Sequence, residues 1–231
     1  MAKKLIIMLL SITMIACSSI SIYATNIIDT DNIDTTTTTT ETDEEKAAAE
    51  KEAEEKEAAE KEAAEKEAAK KAAAKKKAEK YKKGLAAYIR KINPNVSKTK
   101  SLNMAGEFIA KGKKFNLDAK VLMAIAQNES TFYTNATSPY GYKGLMQTSD
   151  ALARKYGYKP SSLYKANVSI YVGARYLRTM KNTFKTYKKA LSAYAYGSGA
   201  VKSGNFSYGI ANKMLDTRDD ITKFLERNNY I

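Results

Sequence analysis

Glu129 is the residue best placed to do chemistry in this sequence, because a predicted helix carries its carboxyl onto an apolar face. The helix begins after Asp118, a favourable N-cap, and strong helix formers follow it. Four apolar residues recur at the helical period ahead of Glu129: Val121, Leu122, Ile125 and Ala126. Apolar surroundings and the negative end of the helix dipole both disfavour an ionised carboxyl. We therefore predict a raised pKa for Glu129 and the role of a general acid.

Most other catalytic chemistry is excluded by composition. The chain has no histidine and one cysteine, Cys17, which excludes Ser-His and Cys-His catalysis, a thiolate zinc site and a disulfide within the chain. Beyond residue 83, the other glutamates are Glu107 and Glu226, which lie off the apolar stripes of their helices, while Asp150 is predicted to cap a helix. A glycosidase of the usual kind needs two carboxylates that flank the bond. A lone Glu129 therefore indicates chemistry in which a sugar supplies the second group, with no metal and no cofactor.

The charge of the chain is strongly uneven. From Tyr81 onward there are 26 basic and 8 acidic residues, a net charge of +18, whereas the whole chain carries +14. Such a field attracts polyanions, which could be nucleic acid, anionic lipid or an anionic cell-wall polymer. Nucleic acid is disfavoured as the partner because the sequence has no recognised nucleic-acid-binding motif and because its N-terminus is predicted to be an export signal.

Residues 1–24 are predicted to be a signal peptide. Lys3 and Lys4 precede an apolar run of about a dozen residues, which is too short to span a bilayer comfortably, and a small residue, Ala24, ends the segment. The sequence up to Cys17 also resembles a lipoprotein box, so a lipid anchor on Cys17 is an alternative to ordinary cleavage. Either outcome predicts export to the cell envelope. Residues 25–43 are Thr-rich and are predicted to be disordered.

Residues 44–83 are predicted to form a helical spacer, and residues 84–231 a mainly α-helical domain. The spacer repeats Lys-Glu-Ala-Ala-Glu and has no large apolar residue for a coiled-coil seam. The domain shows no convincing strand alternation. Its predicted helices, apart from that of Glu129, are 85–92, 101–113, 150–156, 167–181, 188–196 and 219–229.

Three motifs, in order, resemble the soluble lytic transglycosylase family. They are Glu129-Ser130, then Ser138 followed by Gly141 and Gly144-Leu145-Met146-Gln147, then Ala193-Tyr194 with Gly197. The similar region covers about 102–205. The resemblance implies a lysozyme-like fold, akin to goose-type lysozyme.

The family cleaves the β-1,4 bond between N-acetylmuramic acid and N-acetylglucosamine in peptidoglycan without consuming water. The resemblance implies that Glu129 acts first as acid and then as base, and that glycan strands are the partner of a monomeric enzyme. It also implies that the following residues contact substrate or orient the acid: Ser130, Ser138, Gly144, Leu145, Met146, Gln147 and Tyr194. Tyr194 is expected to hold the Glu129 carboxyl through its hydroxyl. Core packing is an equal alternative for Leu145.

Two departures from the family pattern leave other functions open. The family usually has Ala-Tyr-Asn-Ala-Gly where this chain has Ala193-Tyr194-Ala195-Tyr196-Gly197, so the Asn amide is missing. The family usually has a small residue where Tyr142 stands. A water-using muramidase on the same fold and a catalytically degenerate peptidoglycan-binding protein remain alternatives.

Overall fold

The computed structural model of the chain describes residues 43–231. The predicted signal peptide and all but the last residue of the Thr-rich segment lie outside the described residues. The chain divides into two compact units at Lys56/Glu57. In the first unit the described residues, 43–56, are helical. The second unit, 57–231, contains the hydrophobic core.

The first helix, α1, runs from Asp43 to Ile92. Residues 54–80 are exposed, and the helix there is supported by ion pairs one turn apart, such as Lys66 to Glu62 at 2.5 Å. Burial begins at Gly84, where an added Cβ would lie 2.4 Å from the Tyr230 ring. The predicted helix 85–92 is therefore the last part of α1 rather than a separate element.

Seven further α-helices and one 3₁₀ helix, Pro160–Tyr164, follow in the described part of the chain. The α-helices are α2 (Lys98–Phe115), α3 (Ala119–Ser130), α4 (Asp150–Lys155), α5 (Ala166–Phe184), α6 (Tyr187–Tyr196), α7 (Ser198–Ser203) and α8 (Gly209–Arg227). Extended pairing between the described residues is limited to isolated bridges in the loop 131–149. The mainly α fold predicted from the sequence is confirmed for the described residues, and the lysozyme-like arrangement stays a prediction.

Helix α3 is the centre of the core. Asp118 caps it as predicted, with its Oδ1 accepting from the Lys120 N–H at 2.8 Å. Residues 121–126 are all fully buried or nearly so. Helices α2 and α8 pack against α3, and α5 and α6 complete the surrounding shell. The end of α3 is thereby held rigidly within the domain.

The structure corrects two predicted boundaries in the C-terminal third. Only Gly197 (φ 84°) separates the predicted helix 188–196 from a further helix, α7, which begins at Ser198 and was not predicted. Helix α8 begins ten residues before the predicted Asp219. Its early turns bury Ala211 and Met214, but no side-chain cap marks the start of the helix in the sequence.

Among the described residues, no helix combines the length and the apolar character needed to cross a membrane.

Candidate active site

A cleft of about 440 Å³ opens beside the C-terminal end of α3. Its lining comes from α3, the loop 131–149, α4, α5 and the end of α6. The lining residues are Glu129, Tyr142, Gln147, Thr148, Ser149, Ala151, Leu152, Lys155, Tyr176, Tyr194, Ala195, Tyr196 and Gly197. One acidic and one basic side chain, Glu129 and Lys155, are included. The cleft is thus largely uncharged and rich in tyrosine.

Glu129 lies in the last turn of α3 and faces this cleft. It is only partly accessible, and burial raises the pKa of its carboxyl from 4.5 to about 7. The raised pKa predicted from the helix pattern is therefore confirmed, with loss of hydration as the cause. A carboxyl with this pKa exchanges a proton near neutral pH, which suits a group that must act as both acid and base.

Ser130, Leu145 and Met146 lie behind the cleft rather than in its lining. The Ser130 side chain is buried, and its Oγ lies 2.9 Å from the Leu145 carbonyl oxygen and 3.0 Å from that of Ala126. Leu145 and Met146 are fully buried in the main core. None of these three side chains lines the cleft, and their contact with substrate stays a prediction. The Ser130 hydroxyl joins the end of α3 to the loop, because it gives the Leu145 carbonyl a hydrogen-bond partner.

Gly144 and Ser138 also shape the loop without lining the cleft. Gly144 adopts φ 75°, and a Cβ there would lie 1.9 Å from the Leu163 carbonyl oxygen. Ser138 pairs twice with Tyr142: its Oγ accepts from the Tyr142 N–H at 3.1 Å, and its N–H donates to the Tyr142 carbonyl at 2.9 Å. Gly144 and Ser138 thus set the loop conformation in this structure, and their contact with substrate stays a prediction.

Gln147 does line the cleft, as predicted. Its backbone is left-handed, with φ 43°, and its Nε2 donates to the carbonyls of Gly144 at 2.8 Å and Ala136 at 3.1 Å. The amide nitrogen is thereby committed to the loop, which leaves the Oε1 side of the amide to face a ligand.

Tyr194 lies in the cleft near Glu129, but its hydroxyl has a different partner from the one predicted. The hydroxyl donates to the Met146 carbonyl at 2.7 Å. Burial, followed by the charge of Glu129, raises the pKa of Tyr194 well above its ordinary value. The hydroxyl hydrogen is therefore engaged by Met146 in this structure, and the predicted contact of Tyr194 with the Glu129 carboxyl stays a prediction. Tyr194 ties α6 to the backbone that supports the cleft.

Replacing Tyr194 with Phe should lower the free energy of unfolding by about 1 to 2 kcal/mol, because the buried Met146 carbonyl loses its partner. Denaturant unfolding measures the change. Tyr176→Phe is the matched control, since its hydroxyl lies 3.5 Å from the Ala193 carbonyl, at the limit of a hydrogen bond. Equal losses in the two variants would contradict the assignment.

The other acidic candidates lie away from the cleft lining. Glu107 is half-buried rather than exposed as its position on α2 predicted, and its Oε2 pairs with Lys111 Nζ at 2.8 Å. Glu226 is exposed. Asp150 is the first residue of α4, which Ser149 caps, and its carboxylate pairs with Lys143 at 2.5 Å. No group of His, Cys, Asp and Glu side chains that could hold a metal occurs in residues 43–231.

Several lining residues were not predicted from the sequence. Tyr176 comes from the middle of α5, and Lys155 from the end of α4. Tyr142 follows Gly141 and Tyr196 precedes Gly197, and both glycines have positive φ. An adjacent glycine is the one local signal that could have indicated that these tyrosines lie beside turns. Thr148 is 3% exposed, and its Oγ1 has no hydrogen-bond partner among the described residues.

Fold and site together define a helical domain with one partly buried carboxylic acid in a tyrosine-lined cleft. Residues 106–215 match the family described as "Transglycosylase SLT domain". This match covers just under half of the chain and shows which family the helical domain is similar to.

One curated relative is the "Transglycosylase" of Enterobacteria phage PRD1, 32% identical over 106 residues. The match covers 46% of this chain and 39% of the relative, so the chain spans well under half of that protein's length.

Two solved structures are more distant. One is an inactive mutant of the lytic transglycosylase Slt from Pseudomonas aeruginosa, with 22% identity, a TM-score of 0.43, and 54% of this chain and 24% of that chain covered. The other is the 70 kDa soluble lytic transglycosylase from Escherichia coli, with 22% identity, a TM-score of 0.44, and coverage of 63% and 29%.

Proposed function

We propose that this chain is an exported peptidoglycan lytic transglycosylase. It cleaves the β-1,4 bond between N-acetylmuramic acid and N-acetylglucosamine and leaves a 1,6-anhydro-muramoyl end. The observation that most supports this function is that Glu129 is the single carboxyl in the cleft lining and has a pKa of about 7. The SLT domain match over 106–215 supports the same class of substrate.

The reaction needs one group that gives a proton and then takes one back. Protonated Glu129 donates to the glycosidic oxygen as the bond from this oxygen to C1 of the muramoyl sugar breaks, and the sugar's N-acetyl group assists departure. The resulting Glu129 carboxylate removes the proton of the C6 hydroxyl, and O6 bonds to C1. Because this closure is intramolecular, positioning can replace a second catalytic carboxylate.

The remaining residues hold the glycan and the cleft. Gln147 offers its Oε1 to a sugar N–H or hydroxyl, since its Nε2 is already engaged. Behind the cleft, Ser130 binds the Leu145 carbonyl and Tyr194 binds the Met146 carbonyl. These hydrogen bonds keep Glu129 and Gln147 in fixed relative positions. Water exclusion by the uncharged lining keeps the pKa of Glu129 high.

The domain organisation follows from the same function. Residues 1–24 export the chain, 25–43 and 44–83 form a Thr-rich segment and a helical spacer, and 84–231 form the catalytic domain. The positive charge from Tyr81 onward attracts the anionic cell wall rather than nucleic acid. The enzyme acts as a monomer, and lipidation of Cys17 is the route by which it would be held at a membrane.

Mass spectrometry of purified sacculi digested with the full chain tests this proposal. We expect muropeptides that end in 1,6-anhydro-N-acetylmuramic acid. Products with ordinary reducing ends, one water heavier, would instead identify a muramidase.

A binding-only protein is the second candidate, and Ala195 is the observation that favours it. Ala195 lines the cleft and presents only a methyl group there. Retention of the folded chain on sacculi, with no soluble product, would support this candidate and contradict the catalytic one.

A further inference from the structure

Two large, exposed aromatic side chains lie in the cleft that contains Glu129. Six large hydrophobic residues of the described chain are exposed, and of these Tyr142 (44% exposed) and Tyr196 (40%) belong to the cleft lining. Tyrosine faces usually gain free energy when they are covered, because each ring presents a large apolar area. The position of these two rings therefore indicates that a ligand covers them.

The backbone that presents Tyr142 is fixed although its ring is free. Two hydrogen bonds join it to Ser138, at 2.9 and 3.1 Å. The next residue, Lys143, exchanges two backbone hydrogen bonds with Thr148, at 3.1 and 3.3 Å, and its side chain pairs with Asp150. A ring on such a backbone loses little conformational entropy when a ligand binds.

Tyr196 is presented from a different element, at the last turn of α6. Its hydroxyl lies 3.1 Å from the Ser207 Oγ, which orients the ring, and Gly197 then ends the helix. The neighbouring Ala195 lines the cleft with a methyl group only. Tyr196 lines the same cleft and is 40% exposed, so part of its side chain is accessible to a ligand.

The polar groups of the cleft are partly committed to the protein. The Gln147 Nε2 and the Tyr194 hydroxyl both donate to backbone carbonyls, whereas Thr148 Oγ1 has no partner among the described residues. A ligand for this surface must therefore offer flat apolar faces together with a few hydroxyl or amide groups at its edges. Pyranose rings have this character, since their C–H groups form faces and their hydroxyls form the rim.

We propose that Tyr142 and Tyr196 are glycan-binding residues that stack against pyranose rings of the β-1,4-linked strand. This inference rests on the proposed function and specifies how the cleft grips its substrate. The contact is with uncharged sugar faces, so it does not require the peptide or any anionic group of the wall. Binding by these faces compensates for the amide that Ala195 does not supply.

The test measures binding of a defined, uncharged probe, the β-1,4-linked tetramer of N-acetylglucosamine, to the full chain by isothermal titration calorimetry. All proteins carry Glu129→Gln so that no turnover occurs. Tyr142→Ala and Tyr196→Ala are each expected to weaken the Kd about tenfold, which is the loss of one stacking contact.

Two controls separate stacking from other effects. Tyr140→Ala removes a ring that is 88% exposed on the same loop but outside the cleft lining, and should bind as the parent does. Tyr196→Phe keeps the ring and removes only the hydroxyl, and should retain most of the affinity. Circular dichroism of each variant confirms that it is folded.

The outcomes distinguish this inference from the proposed function. Alanine variants at 142 and 196 that bind as tightly as Tyr140→Ala would overturn the stacking role, even if the native chain makes anhydro products. Selective loss of binding in those variants, with no glycan cleavage by the native chain, would support stacking and contradict the proposed transglycosylase activity. No binding of the tetramer by the parent would overturn the stacking role as well.

Discussion

Replacing Glu129 with Gln is expected to abolish glycan cleavage and, above pH 7, to make the protein more stable than the native chain. The first effect follows because an amide can neither give nor take the proton that the reaction needs. We expect no detectable soluble muropeptides from sacculi. The second effect follows from the raised pKa of this carboxyl, about 7 in the folded protein against 4.5 as its ordinary value.

The sign of the pH dependence is fixed by proton uptake. Between pH 4.5 and 7 the folded state keeps a proton on Glu129 that the unfolded state has lost, so the free energy of unfolding falls as the pH rises. Above pH 7 the Glu129 carboxyl is ionised in both states, and burying its charge lowers the free energy of unfolding of the native chain by about 3 kcal/mol at most. Glu129→Gln lacks this penalty, so its advantage should be large at pH 8 and absent at pH 4.

Denaturant unfolding at pH 4 and pH 8 measures the stability effect, and product analysis measures the catalytic one. Glu226→Gln makes the same chemical change at an exposed position on α8 and should retain native cleavage. Substantial cleavage by Glu129→Gln would rule out the proposed acid. A stability advantage that is the same at both pH values would mean that burial of the carboxyl is not its source.

Gly144→Ala is expected to cause the largest loss of stability of any single methyl addition in the loop 131–149. The backbone at Gly144 has φ 75°, and the new Cβ would lie 1.9 Å from the Leu163 carbonyl oxygen and 2.9 Å from Ser169 Oγ. Backbone carbonyls cannot move aside as a flexible side chain can. We expect the free energy of unfolding to fall by about 4 kcal/mol or more.

Gly141→Ala is the matched control, because Gly141 has nearly the same φ, 78°, but no atom lies within 4 Å of its added Cβ. The conformational strain alone should cost about 1 kcal/mol. Denaturant unfolding of both variants separates strain from collision. Losses of equal size would show that close approach to Leu163 is unimportant.

The central part of this fold was predictable because its physical signals are local. The apolar period of α3 placed Glu129 correctly, and Asp118 marked the start of that helix. Only the second half of helix α8 was predicted, since its start has no side-chain cap to mark it in the sequence. The short α7 was missed because Gly197 and Gly199 resemble a loop in sequence, although only Gly197 leaves the helical conformation.

Three of the predicted site residues, Glu129, Gln147 and Tyr194, line the cleft, whereas Ser130, Ser138, Gly144, Leu145 and Met146 lie outside its lining. The motif brought Ser130, Met146 and Tyr194 together, but sequence cannot specify which polar atom meets which. Hydrogen bonds between residues 15 and 48 positions apart decide those roles here. The glycines beside Tyr142 and Tyr196 could have marked turns, but they do not specify that the loop and the end of α6 meet at one cleft.

The backbone of Leu145 and Met146 is held from three directions, by Ser130 of α3, Ser169 of α5 and Tyr194 of α6. Local opening of this dipeptide would break contacts with three core helices at once, so it belongs to the same cooperative unit as the core. The Met146 amide should therefore be among the slowest to exchange its hydrogen with solvent. Any closure over a bound ligand must then come from the rim of the cleft, while its floor stays in place.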